Sequence, residues 1–185
     1  MKRTRRAFTI LELLVVISII IVLAGLVLAT SAYVWKKGAC SRTEAEIAAI
    51  SAALESYKAD NGIYPTTNAT NSLKANADGD PSSSSYVDAG KDLYIRISGD
   101  SDGNPTTADT AKNYMGVSLK PNMLNPAPPG PNTYIKDPFG NCYGYSTVKT
   151  SAPAGTDGYN PTFDLWSTAG TITNPLDQTQ WIKNW

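Results

Sequence analysis

The chain has 185 residues, 16 basic and 16 acidic side chains that cancel to zero net charge, two cysteines and no histidine. Balanced charge offers no basic face for nucleic acid, and the missing imidazole removes Ser-His-Asp, Cys-His and His-zinc chemistry together. Carboxylate-only catalysis survives that exclusion, but no converging catalytic set is visible and the chain reads as a non-enzyme.

Residues 1–7 carry Lys2, Arg3, Arg5 and Arg6 and run straight into a segment that is almost purely apolar from Phe8 to Ala32. About 24 residues at 1.5 Å rise make a helix of roughly 36 Å, enough to cross a hydrocarbon core of about 30 Å. Basic residues ahead of a span favour the cytoplasm, so the body lies outside; Lys36 and Lys37 weaken that bias without reversing it, and Tyr33 and Trp35 suit an interfacial aromatic belt. No small-residue cut site follows the apolar run, so the span reads as kept. Glu12 lies inside it, where an ionised carboxylate costs about 2.5 kcal/mol or more without a partner. A cut ahead of the span would create an ammonium within one turn of Glu12, and opposite charges on neighbouring copies would then remove each other's desolvation cost. Snorkelling of Glu12 to the headgroups of a simple anchor is the other reading.

No proline interrupts the chain before Pro65, and Cys40, Thr43, Ile47, Ile50, Leu54 and Tyr57 recur at steps of three and four. That spacing predicts an amphipathic continuation of the same helix to about Ala59, with Glu44, Glu46, Glu55 and Lys58 off the stripe. The whole helix would be a rod of roughly 75 Å, with Gly25 and Gly38 as flex points. Asn61-Gly62 and Pro65 supply its stop. Residues 68–92, rich in Ser, Asn, Asp and Gly, read as a surface loop; the alternation of residues 92–97 predicts a half-buried strand. Residues 121–131 hold five prolines and cannot form a regular helix or central strand. The turn at residues 137–141 leads into a strand over 142–148, a second strand follows at 163–167, and residues 180–185 pair at the sheet edge or cover it.

The run Ala7-Phe8-Thr9-Ile10-Leu11-Glu12 resembles the class III leader of type IV pilins and type II secretion pseudopilins. The resemblance implies removal of residues 1–7 by a prepilin peptidase between Ala7 and Phe8, N-methylation of Phe8, and assembly through Phe8 and Glu12; Ala7 stands where the pattern usually has Gly. Loss of the leader would leave 12 basic against 16 acidic side chains. Residues 53–67, with Tyr57 and Tyr64-Pro65-Thr66-Thr67, look very like the segment that ends the long helix of major pseudopilins. Residues 137–145 resemble a D-P-W-G-x-x-Y-x-Y phrase of the same family, with Phe139 in place of Trp. The implied fold is α+β and pilin-like: a leader (1–7), a membrane and filament-core helix (8–32), its amphipathic half (33–60), and a β-rich head (61–185) with a variable loop at about 68–133, in which the amphipathic half packs on a small antiparallel sheet.

The implied function is structural: a subunit anchored once in the inner membrane, N-terminus cytoplasmic and head periplasmic or otherwise extracytoplasmic, that polymerises with itself into a pseudopilus for protein export. Its implied partners are other pseudopilins, the prepilin peptidase and the inner-membrane secretion platform, with no nucleic acid. A type IV or minor pilin for adhesion, motility or DNA uptake, and a membrane-anchored binding domain, are the alternatives. The family's calcium loop implies Asp164 as a ligand, with Asn174 or Asp177 replacing a second Asp that is missing here; a turn-capping Asp164 is the other reading. Asp100-Ser101-Asp102-Gly103-Asn104 has the start of an EF-hand loop without its twelfth-position Glu and reads as a solvated turn. Cys40 and Cys142 would enter an oxidising compartment, and the sequence leaves their pairing open. Tyr143, Tyr145, Tyr159, Trp166, Trp181 and Trp185 read as core rather than as a glycan-stacking face.

Overall fold

The computed structural model describes residues 9–106, 109–116, 119–171 and 177–185, and the chain divides into two compact units, Met1–Gly38 and Ala39–Trp185. A single helix, α1 (Ile10–Asn61), contributes to both. In the first unit its apolar side chains face outward on every side, as suits a segment solvated by lipid or by other helices, and its length and composition allow it to cross a membrane. The hydroxyls inside this stretch are hidden from an apolar medium by their own backbone: Ser18 Oγ donates to Val15 O, Thr30 Oγ1 to Leu26 O and Val27 O, and Ser31 Oγ to Val27 O.

In the second unit the continuation of α1 buries Ala39, Thr43, Glu46, Ile47, Ile50, Ala53 and Leu54. The stripe is wider than the sequence suggests. Glu46, expected off it, lies one step from Thr43 and Ile50 on the same face and is buried, its charge satisfied by contacts given below. The helix stops as expected: Gly62 takes a left-handed φ of 80°, its N–H donates to Lys58 O at 2.7 Å, and Asn61 Nδ2 donates to Tyr57 O. Tyr64 then folds back on the helix, donating its hydroxyl to Glu55 Oε1 at 2.8 Å beneath the Lys58 amine.

The stretch expected to be a loop and a strand is largely helical. After the short α2 (Asn68–Ser72), capped by a reciprocal Thr67–Thr70 box, comes α3 (Ser84–Ser98), ended by Gly99 at φ 83°. Its buried residues Tyr86, Ala89, Gly90, Leu93, Tyr94 and Ile97 keep helical spacing. The alternation of Leu93, Ile95 and Ile97 is a local coincidence within that longer period: Ile95 packs at the core's edge while Tyr94 goes inward.

A 3-10 turn (Pro121–Met123) leads into β1 (Leu124–Asn125), which pairs antiparallel with β2 (Tyr134–Ile135). The larger sheet is antiparallel in the order β3 (Gly144–Ser146), β4 (Asp164–Ser167), β5 (Ile182–Lys183), with Tyr145 opposite Leu165 and Ser167 opposite Ile182; a one-turn helix, α4 (Val148–Ser151), follows β3. Strand expectations for 142–148, 163–167 and the C-terminal edge therefore hold in shortened form. Gly144 is required by packing, since a Cβ there would lie 2.2 Å from Trp166 Cε2. Two apolar clusters fill the unit. One joins Ile47, Ile50 and Leu54 of α1 to Leu93, Tyr94 and Ile97 of α3 and to Tyr143, Tyr145, Phe163 and Leu165 of the sheet region. The other gathers Leu73, Ala75, Tyr86, Ala89, Trp166 and Trp181.

Candidate assembly site and head contacts

Glu12 lies in the first turn of α1, on the third helical position after Thr9. The Thr9 N–H and Oγ1 both donate to Glu12 Oε2 at 2.9 Å, and the Glu12 N–H donates back to Thr9 Oγ1 at 3.2 Å. This is a capping box: two backbone donors that a helix start leaves bare are satisfied reciprocally, and a negative charge sits at the positive end of the helix dipole. The sequence carries the signal in Thr9-x-x-Glu12, a threonine three residues ahead of a glutamate at a helix start. Glu12 is the lone ionisable side chain between Ile10 and Ala32. Ala7 and Phe8, the expected cut site, lie outside the described residues.

The head is tied to α1 by a buried polar contact that periodicity did not reveal. Glu46 Oε2 accepts from Tyr143 Oη at 2.8 Å and Glu46 Oε1 from Arg42 Nε at 2.7 Å. Burial and the neighbouring Glu46 carboxylate push the Tyr143 hydroxyl far above its usual range, so it remains a donor at any physiological pH. Tyr145 donates to Pro65 O at 2.8 Å, anchoring the sheet to the turn beyond the helix. At the other end of that turn Lys112 pairs with Asp60, and Asn61 Nδ2 donates to Tyr114 Oη at 3.2 Å.

Cys40 and Cys142 are both free thiols. Cys142 is buried, with its Sγ 3.6 Å from Tyr86 O and 3.4 Å from Tyr143 O, and burial drives its pKa far up. Gly90 of α3 leaves room for it: a Cβ at that position would meet Cys142 Sγ at 2.3 Å.

Asp164 is buried and accepts the N–H groups of Tyr159 and Asn160 at 2.9 and 2.8 Å, as a turn-capping aspartate does. Asp177 accepts from the backbone and hydroxyl of Thr179, and Asn174 lies outside the described residues. Asp137 has the capping role in the Asp-Pro-Phe-Gly turn, accepting from Phe139 N, Asn141 N and Ser167 Oγ. Burial raises the pKa of both Asp137 and Asp164. Asp100 is buried rather than solvated: Tyr94 Oη donates to it at 2.8 Å, and its carboxylate gathers with those of Asp102 and of Asp109, the latter from outside the Asp100–Asn104 run. Of the aromatics, Tyr143, Tyr145, Trp166 and Trp181 are core, while Tyr159 is exposed and stacked on Trp185 at 4.6 Å.

An apolar helix opened by a capped carboxylate, continuing as the buried edge of a small head with an antiparallel sheet, defines a pilin-like subunit. Comparison with known proteins agrees. The prokaryotic N-terminal methylation motif matches residues 2–28. The type II secretion system core protein G of Aeromonas hydrophila is 38% identical over 106 residues, covering 56% of this chain and 72% of that protein. Core protein G of Dickeya chrysanthemi is 42% identical over 67 residues (36% of this chain, 44% of that one), and that of Escherichia coli K12 is 45% identical over 64 (35% and 44%). No solved structure matches the chain. The chain belongs to the type II secretion system core protein G family, the major pseudopilins, and is a structural pseudopilin subunit.

Proposed function

We propose that the chain enters the inner membrane once, N-terminus cytoplasmic and head extracytoplasmic, is cut between Ala7 and Phe8 by a prepilin peptidase, is methylated on the Phe8 amine, and then polymerises into a short pseudopilus that drives exported proteins outward. Other pseudopilins and the inner-membrane secretion platform are its partners. Work by such a filament is mechanical, with no reaction on a substrate. The observation that carries this reading is Glu12: a single carboxylate at the head of a helix whose other polar groups down to Ser31 are bonded back onto the backbone. An uncompensated charge there is costly in lipid, and a cation on the neighbouring copy offsets that cost only when the helices stack in register.

Glu12→Ala is expected to leave the precursor inserted and processed, with a mature chain beginning at methylated Phe8 by mass spectrometry, while pseudopilus formation and secretion are lost. Normal assembly by Glu12→Ala, or a chain recovered with Met1 intact in secreting cells, would overturn the proposal.

A further inference from the structure

Strand β4 is held from both sides, and on one side its partner is the end of the chain. The last residues return along β4 as β5, with Trp166 opposite Lys183 and Ser167 opposite Ile182. Beyond that ladder Asn184 adds further rungs. Its Oδ1 accepts the Leu165 N–H at 2.9 Å, its Nδ2 donates to Phe163 O at 3.2 Å, and its backbone N–H donates to Leu165 O at 3.1 Å. Trp181 lies parallel to the buried Trp166 with ring centroids 6.1 Å apart, and Gln178 Nε2 donates to Ala75 O at 2.7 Å, which fastens the approach to β5 onto the loop after α2.

The stretch between β4 and β5 is where the family resemblance implies calcium. A calcium ion takes six to eight oxygen ligands, and its affinity follows the number of carboxylates among them. Residues 165–176 contain no Asp or Glu. The carboxylates around them serve the chain's own donors. Asp164 stands at the entry of β4 under Gly158, with one oxygen on the Tyr159 N–H and the other on the Asn160 N–H. Four residues, roughly 13 Å of extended strand, separate it from Thr168. Asp137 caps its own turn with one oxygen and accepts Ser167 Oγ with the other, and Asp177 accepts from the backbone and hydroxyl of Thr179. Thr168 Oγ1 is buried with no hydrogen-bond partner among the described residues, but one neutral hydroxyl is a single ligand where the ion needs at least six. The donor set therefore does not fit the metal.

We propose that this head closes its last loop without a divalent cation, and that the C-terminal segment, through Trp181 and Asn184, holds β4 in place of one. Closure is a property of the single subunit, so it is read without any filament and its failure leaves the pseudopilin reading untouched. A head closed in this way keeps its stability when calcium outside the cell falls.

The test melts the full chain in detergent, followed by tryptophan fluorescence, in calcium chloride, in magnesium chloride and in chelator. At about 10 mM, roughly ten-fold above the dissociation constants of the weakest extracellular calcium modules, an occupied site would raise the melting temperature by roughly 3–6 °C or more. The three melts are expected to agree within about 1 °C. Asn184→Ala removes two side-chain hydrogen bonds to β4 and its approach and should lower the melting temperature by roughly 4–8 °C, equally in all three solutions. A calcium-specific rise of about 3 °C or more in the unmodified chain would overturn the proposal, whatever the variant does. An Asn184→Ala chain that melts with its parent would overturn the part given to the C-terminal segment.

Discussion

Replacing Tyr143 by Phe removes one oxygen from the contact that holds the head on α1. The ring keeps its place among Ile47, Leu93 and Leu165, so packing changes little and the loss is confined to the bond from Tyr143 Oη to Glu46 Oε2. A hydrogen bond to a carboxylate contributes about 1.5–3 kcal/mol, and the removed partner leaves a buried acceptor that water cannot reach. Arg42 still holds the other oxygen, which places the expected loss at the lower half of that range, about 1.5–2 kcal/mol. For a unit of this size that lowers the melting temperature by roughly 3–8 °C. The full chain in detergent, followed by tryptophan fluorescence, reports the change, since Trp166 and Trp181 are buried in the head. Glu46→Gln and the double variant complete a cycle, and the pair should lose less than the sum of the singles. A Tyr143→Phe shift below about 1 °C, or strict additivity in the cycle, would refute the claim that this bond ties head to helix.

Gly90→Ala is expected to destabilise the head by about 1–3 kcal/mol through overpacking against Cys142, and Cys142→Ala on that background should recover much of the loss, as read by thermal melts of the four chains. The pH dependence of stability has a definite sign at Asp137. Its folded pKa is raised by burial above an unfolded value of about 3.9, so its contribution is fully present below that value and is lost as pH rises through the folded pKa. Asp137→Asn should therefore flatten the fall in melting temperature on going from acid toward neutral pH while keeping the cap to Phe139 and Asn141; an unchanged slope would count against the assignment.

The features most legible in the sequence are those set by short-range chemistry. A long apolar run, a period of three to four, and Asn61-Gly62 before Pro65 fix α1 and its end because each acts within a turn or two of backbone. The Asp137 turn and the strands beside it follow likewise from local signals. Helix α3 was missed because its period shows only when Tyr86 and Ala89 are joined to Leu93 and Ile97, and the serines before it look like loop. The Glu46–Tyr143 contact spans 97 positions, and nothing in either neighbourhood marks it. A buried Glu on a helix is indistinguishable from a solvated one until its partner is known. The Thr9–Glu12 cap is the opposite case, a local motif legible from a threonine three residues ahead of a glutamate.

That cap gives the subunit a waiting state. With Thr9 already occupying one of its oxygens, Glu12 does not stand bare in a lone chain, and the helix start does not fray while the copy diffuses in the bilayer. On the proposed assembly through Glu12, polymerisation exchanges this local partner for a cation on the neighbouring copy, and the Thr9 bonds set the state from which that exchange starts.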